Sequence, residues 1–246
     1  MKHTIVRSKM KKGKILMNDP ILKHYVPATH RFRSSRIKRM LRSYSTLYIK
    51  PDVGRKGNGV IRVSKLNDGD VEISDNQTTV RCSKETAVAN IKKKLKSKKK
   101  YLIQRGISLA TYHGRPFDVR VVLQKPLNRW TLSLMSAKVA PKSSSVVTNV
   151  SKGALDVEVV KALQNADQRL NAVRVMRDLI DVSYQIAQRL GSRFPLKIIG
   201  LDMGIDKKGN VWFIEANTKP DCIGLEHLDR KLYRRYRRAK RMLARR

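Results

Sequence analysis

The sequence predicts an α+β fold, on three observations. Segments of strand character and segments of helical character mix along the 246 residues without a regular βαβ alternation, which disfavours a doubly wound parallel sheet. A hydrophobic content of 41% is ordinary for a globular chain and enough for a sizeable core, in one domain or two closely joined lobes. Two apolar runs flank the polar turn DKKGN within KIIGLDMGIDKKGNVWFIEAN (197–217), which is a hairpin signal.

The elements follow in chain order. Residues 1–45 read as a basic helical lead-in, with Ile37, Met40 and Leu41 at helical spacing in RFRSSRIKRMLRSY. Short strands are expected at LYIK (47–50), VIRV (60–63), VEI (71–73) and TTVRC (78–82), separated by turns such as NDGD and SDNQ. A helix over 84–98 leads into the strand YLIQ (101–104). FDVRVVLQ (117–124) and WTLSLMSAKV (130–139) are strands joined by the turn KPLNR, and a loop rich in Ser and Lys follows (141–154). Val173, Met176, Ile180, Ser183, Ala187 and Leu190 recur at three- and four-residue steps, predicting a long helix stopped at Gly191. After the hairpin comes a basic C-terminal helix ending LYRRYRRAKRMLARR. There are no internal repeats.

With Lys208–Gly209 at the hairpin tip, paired positions sum to 417, so Asp202 lies opposite Glu215. In that register Leu201, Met203 and Ile205 share an apolar face with Trp212, Ile214 and Ala216. The other face carries Asp202, Glu215 and Asn217, with Gly200 and Gly204 expected to leave open space beside them. Like charges opposed across strands repel. Two carboxylates and an amide oxygen placed together point to a hard cation, Mg2+ above others. A solvated sheet face that carries acids by chance is the alternative.

The formal net charge is +36, so the chain attracts polyanions at low salt whatever its fold. The two cysteines, Cys82 and Cys222, match neither a zinc spacing nor a disulfide framework, as in a reducing compartment. No apolar stretch is long enough to span a bilayer, and the basic N-terminus lacks a signal-peptide core, so a cytoplasmic protein is expected. The five histidines show no metal or triad spacing.

Three further motifs each admit two readings. In LYIKPDVGRKGNGVIRV, Lys50 ends a strand and Gly54, Gly57 and Gly59 follow in a loop, where backbone N–H groups can approach phosphate oxygens. No Gly-Lys-Ser/Thr follows and the next element is a strand, so this is neither a Walker A loop nor a dinucleotide fingerprint. An ordinary glycine-rich hairpin reads the same way. Asp118 and Arg120 share one face of their strand, able to meet ribose hydroxyls and phosphate oxygens, or to form a surface ion pair of little consequence. IKKKLKSKKK and the C-terminal Arg cluster are either polyanion-binding surfaces or the solvated faces of packed helices.

Taken in order, these motifs resemble the ATP-grasp superfamily and, within it, the YheC/YheD-like group associated with bacterial endospore coats. The likeness runs through VPATHRF, LYIKPDVGRKGNGVIRV, YLIQRGI, GRPFDVRVVLQK, the segment from Trp130 to Thr148–Asn149, and GLDMGIDKKGNVWFIEANTKPD, covering most of residues 20–225. The spacing Asp, Glu after thirteen residues, Asn after two more is its most specific part. The resemblance implies an ATP-grasp fold of two α+β lobes with the nucleotide between them, lacking most of the N-terminal pre-ATP-grasp domain of relatives. Gly200 replaces the arginine that D-alanine–D-alanine ligases carry there, so the pattern is closer to the glutathione synthetase and ribosomal-protein glutamate ligase branches.

Carried over by resemblance, Lys50 contacts ATP phosphates, and Gly54, Gly57 and Gly59 belong to the loop that closes over them. Gln104, Arg105, Gly106 and Ile107 form the hinge that meets adenine, and Asp118 approaches ribose. Arg120 and Lys138 fall near the reacting phosphate or substrate. Asp202, Glu215 and Asn217 match the ligands of Mg2+, or of Mn2+ in its place. Lys14 is a candidate for a second ATP lysine. The implied organisation is a lead-in (1–45), lobe 1 with the glycine loop (46–105), lobe 2 with the metal site (106–225) and the basic helix (226–246). The implied activity is ATP-dependent ligation of a carboxylate to an amine or thiol through an acyl phosphate, with spore association. The alternative is a basic coat-structural or polyanion-binding protein, contacting an anionic polymer or nucleic acid, that keeps ATP binding without ligation.

Overall fold

The computed structural model describes residues 2–148, 153–220, 222 and 226–244. Asn149 and Asp221, the ends of two of the resembling stretches, lie outside the described residues. Two antiparallel sheets carry the structure. The first is built from β1 (Thr29–Arg31), β2 (Thr46–Pro51), β3 (Ile61–Lys65), β4 (Val71–Ser74), β5 (Thr79–Cys82) and β6 (Tyr101–Arg105), in the order β1-β6-β2-β3-β4-β5. Helices α2 (Ser34–Ser43) and α3 (Lys84–Lys94) cover one face. Alternation along β2 explains why: Leu47 and Ile49 join Ile37, Leu41 and Ile91 in a core, while Tyr48 and Lys50 point the other way.

The second sheet contains β7 (Thr111–Tyr112), β8 (Arg115–Gln124), β9 (Thr131–Val139), β10 (Leu155–Val157), β11 (Ile198–Ile205) and β12 (Val211–Asn217), ordered β10-β9-β8-β11-β12 with β7 paired to β8. Its inner face packs on α1 (Lys9–Met17), α4 (Val159–Gln164) and α5 (Ala172–Gly191) through Phe117, Val119, Val121, Leu201 and Met203. Part of the outer face is covered by α6 (Arg230–Ala244), whose Tyr236 meets Val122 and Leu134.

Several expectations change. The lead-in is not wholly helical: Thr29–Arg31 forms β1 against β6, and the helices before and after it pack on different sheets. The helix expected over 84–98 ends at Lys94. Along α5 the buried stripe is Val175, Leu179, Val182, Ser183, Ile186, Ala187 and Leu190, whereas Val173 is 82% exposed. The helix ends at Gly191 as expected, and the Trp130 ring, 3.0–3.3 Å from where a Cβ would sit, leaves no room for a side chain there.

The hairpin holds its register near the acids, with Gly200, Leu201 and Asp202 opposite Asn217, Ala216 and Glu215. A β-bulge then intervenes, and Met203 pairs with Phe213 rather than Ile214. The apolar face is therefore completed by Val211 and Phe213, not by Trp212 and Ile214 as the uniform register required. The turn is fixed by Asp206, whose carboxylate accepts from the backbone of Lys208 and Asn210 and from Trp212 Nε1, with Gly209 at φ +78°.

Candidate functional site

The polar faces of the two sheets enclose a cavity of about 230 Å³, adjoined by a second of about 100 Å³ beneath the glycine loop. Lys50, at the end of β2, lines both. Its ammonium donates to Gln104 Oε1 at 2.8 Å and to the Ile214 carbonyl at 3.2 Å, so it reaches from the first sheet to the second. Burial draws its pKa down to about 8, against the opposing pull of Glu215. The bulge that turns Ile214 out of the core is what brings that carbonyl and side chain to the cavity.

A row of alternating charges crosses the outer face of the second sheet. Lys138 bridges Asp118 at 2.8 Å and Asp202 at 2.9 Å, and Arg120 donates through Nε and Nη2 to the two carboxylate oxygens of Asp202, at 2.5 and 3.2 Å. Asp118, buried, and Arg120, partly buried, are thus members of this network and not a surface ion pair. Thr148 donates to the second Asp118 oxygen. Burial acts to raise the pKa of Asp202, but Arg120 and Lys138 outweigh it and hold the carboxyl well below the usual range. At Asp118 burial prevails over Lys138 and the pKa rises.

Glu215 stands opposite Asp202, 3.3 Å from Lys9 Nζ, and Asn217 turns its amide toward Asp202 at 3.5 Å. Asp202, Glu215 and Asn217 all line the smaller cavity, with Gly54, Gly57 and Arg120. The side-chain set suits a hard divalent ion: two carboxylates and one amide, each with an oxygen to offer, on paired strands. No group of three or more His, Cys, Asp or Glu side chains is placed to hold a metal ion among the described residues, so an ion here needs further oxygens from a ligand. Magnesium sites of one or two carboxylates completed by substrate phosphates have this composition.

Arg105 and Ile107 line the larger cavity, and the Arg105 guanidinium lies between the rings of Tyr44 and Trp212, 5.5 and 4.8 Å from their centroids. Gly106 lies behind the wall: its N–H donates to Thr46 O at 2.7 Å, and a Cβ there would sit 2.8 Å from Thr46 Cβ. Gly57 (φ +66°) and Gly59 (φ +75°) shape the loop, and Gly57 packs on Val147 of the second sheet's long loop. Gly59 lines neither cavity. The space expected beside Gly200 and Gly204 is filled, by Pro220 in the first case and by Ile107, Leu109 and Ile214 in the second.

Lys9 is the residue sequence reasoning missed. It meets Glu215 and the Gly54 carbonyl (3.0 Å), yet in sequence it is one lysine of a Lys-rich run. Lys12 of the same helix is buried on the Val6 carbonyl (2.7 Å), and burial lowers its pKa to about 8. Lys14 lines neither cavity.

A family model of YheC/D-like ATP-grasp proteins matches residues 2–244. Among curated proteins, the chain is 28% identical over 215 residues to the endospore coat-associated protein YheD of Bacillus subtilis (strain 168), covering 84% of this chain and 46% of YheD. It is 23% identical over 211 residues to YheC of the same organism, covering 83% of this chain and 57% of YheC. The chain thus spans about half the length of these curated relatives. Among solved structures it is similar to the D-cycloserine synthetase DcsG (TM-score 0.59, 12% identity, 96% of this chain and 70% of that one). It is likewise similar to the ATP-grasp ligase PsnB in complex with a minimal precursor (TM-score 0.53, 15% identity, 97% and 60%). At these identities the likeness is one of fold. With the nearly full-length family match, two antiparallel sheets and a polar cleft between them, the chain belongs to the YheC/D-like ATP-grasp family.

Proposed function

We propose that this chain binds Mg-ATP between its two sheets and uses it to activate a carboxylate for attack by an amine or thiol. The observation that carries the reading is the opposed pair Asp202 and Glu215, facing a cavity shared with Lys50 and the glycine loop. A PsnB structure is described with Mg and ADP, which supports the same ligands here. In this reading Lys50 holds ATP phosphates and the loop of Gly54, Gly57 and Gly59 covers them, excluding water that would hydrolyse an acyl phosphate. Gln104, Arg105 and Ile107 meet adenine, with Gly106 behind them joining the wall to Thr46, and Asp118 accepts from ribose. Asp202, Glu215 and Asn217 hold Mg2+, or Mn2+ in its place, which supplies charge neutralisation at the phosphates.

The reaction balances as two displacements. A carboxylate oxygen bonds the γ-phosphorus as the bond to the β,γ-bridging oxygen breaks, releasing ADP and leaving an acyl phosphate. The amine or thiol then bonds the acyl carbon, inorganic phosphate leaves, and the nucleophile's proton passes to solvent. Arg120 and Lys138 stabilise the phosphoryl oxygens as charge shifts among them. Calorimetry of ATP binding with and without Mg2+ tests the assignment. Glu215→Gln is expected to weaken Mg-ATP binding by about tenfold or more, roughly 1.4 kcal/mol. Undiminished affinity in that variant removes Glu215 from the metal site.

A second reading has its own support in the +36 charge and in the names of YheC and YheD: a coat-structural or polyanion-binding protein that keeps ATP without ligation. ADP release separates the two, because the structural reading predicts intact ATP binding and no ADP from any carboxylate–amine pair. Residence in the cytoplasm with association to the endospore is part of both readings. No helix among the described residues is long and apolar enough to cross a membrane.

A further inference from the structure

Beyond the acidic hairpin, Pro220 and Cys222 lie against the outer face of the second sheet. Pro220 packs against Gly200, and Cys222, beside Arg120, joins Val122, Leu134 and Tyr236 in a small apolar cluster. That cluster seats α6. Val122 and Leu134 lie on the same sheet face as Arg120 and Ser136, two residues further along paired strands, about 7 Å away at 3.3–3.4 Å per residue. The helix therefore flanks the charged face of the site.

The chemistry of α6 is one-sided. Leu232, Tyr236 and Ala239 face the sheet, and all eight Lys and Arg side chains of the helix are exposed. The helix contains no acidic residue, and none of those eight cations forms an ion pair among the described residues. Arg234, Arg237, Arg238 and Arg241 follow i, i+3, i+4, i+7 spacing and share the outward face. Unpaired like charges at this density repel one another along the helix, and an anionic partner relieves that repulsion.

We infer that α6 is a docking surface for an acidic polypeptide whose side-chain carboxylate is the group activated at the site. This rests on the ligase reading above and names its substrate class. Two observations favour an acidic polypeptide over a nucleic acid. The only aromatics of α6, Tyr233 and Tyr236, are partly or fully buried against the sheet, which leaves no exposed ring for a base to stack on. A nucleic acid also carries no carboxylate to receive the γ-phosphoryl group, whereas a polypeptide rich in Glu or Asp supplies both the charge and the acceptor oxygen.

Poly-L-glutamate is the probe, with hydroxylamine as the amine that converts an acyl phosphate to a hydroxamate, releasing phosphate. With Mg-ATP, the wild type is expected to form ADP and hydroxamate from poly-L-glutamate, and far less from free glutamate at equal carboxylate concentration. The fourfold variant Arg234→Gln/Arg237→Gln/Arg238→Gln/Arg241→Gln is expected to raise KM for poly-L-glutamate by about tenfold or more, with kcat and KM for ATP unchanged, because only charge attraction is lost. Three results would overturn the inference: no hydroxamate from poly-L-glutamate although Mg-ATP binds, an unchanged KM in the variant, or polyadenylate bound as tightly as poly-L-glutamate at the same salt. Absence of Mg-ATP binding by the wild type is a different failure, and it removes the ligase reading along with the inference.

Discussion

Lys50 sits where burial, Glu215 and Gln104 meet, and its proton is held more weakly than that of a surface lysine. Its pKa lies near 8 in the folded chain against an ordinary 10.5, so the side chain loses its charge as pH rises through about 8. Phosphate affinity that depends on this charge falls as pH rises through that value. The dissociation constant for Mg-ATP is expected to climb by up to about tenfold per unit between pH 8 and 9.5. Lys12 titrates in the same range, so Lys50→Met is the control: it binds weakly throughout and shows no such slope. A wild-type profile flat from pH 7.5 to 9.5 contradicts a phosphate role for Lys50. The Asp202–Glu215 pair was legible because side chains alternate along strands and the turn sequence sets the register. Lys9 was not legible, since nothing local distinguishes it from Lys11, Lys12 or Lys14; only the packing of α1 brings it to Glu215.

At the scale of elements, two glycines are required by close approach rather than by backbone conformation. A Cβ at Gly106 would sit 2.8 Å from Thr46 Cβ and 3.0 Å from its carbonyl oxygen, and a Cβ at Gly200 would sit 2.7 Å from Pro220. Gly106→Ala is expected to cost about 1–3 kcal/mol in urea unfolding, the usual range for overpacking. Gly200→Ala must displace Pro220, near the Cys222–Tyr236 cluster that seats α6, so it is expected to weaken poly-L-glutamate binding more than ATP binding. Equal stability of wild type and Gly106→Ala would contradict the close approach of Gly106 to Thr46 at the end of the β2–β6 ladder. Most strands were legible from apolar runs and turn residues. The three-residue β1 was not, because so short a segment carries no periodicity and is fixed only by pairing with β6. The bulge after Asp202 was invisible for a related reason: Trp212, Ile214 and Ala216 make as good an apolar stripe as Val211 and Phe213, and the choice falls to packing against α5 and the cleft. The first turn of α5 misled for the same reason, since an apolar Val173 is tolerated at the surface.

Over the whole molecule, the proposed function depends on two sheets that present polar faces to each other and apolar faces to their own helices. The α+β class was legible from the mixture of elements, and the cleft was implied by resemblance. The small number of carboxylates in it has a consequence for metal affinity. Mg2+ alone, offered two acids already paired with Lys9, Arg120 and Lys138, is expected to show no saturable calorimetric binding at millimolar concentration, whereas Mg2+ with ATP binds. Tight binding of the bare ion would require a ligand set different from Asp202, Glu215 and Asn217. The most direct test of a nucleotide held between the sheets is amide hydrogen exchange with and without Mg2+ and a nonhydrolysable ATP analogue. Slowed exchange is expected together in the glycine loop (54–58), at Arg105 and Ile107, and in 145–148, which line the cleft from both sheets. Protection confined to one sheet, or none at these segments despite saturating analogue, would contradict the account.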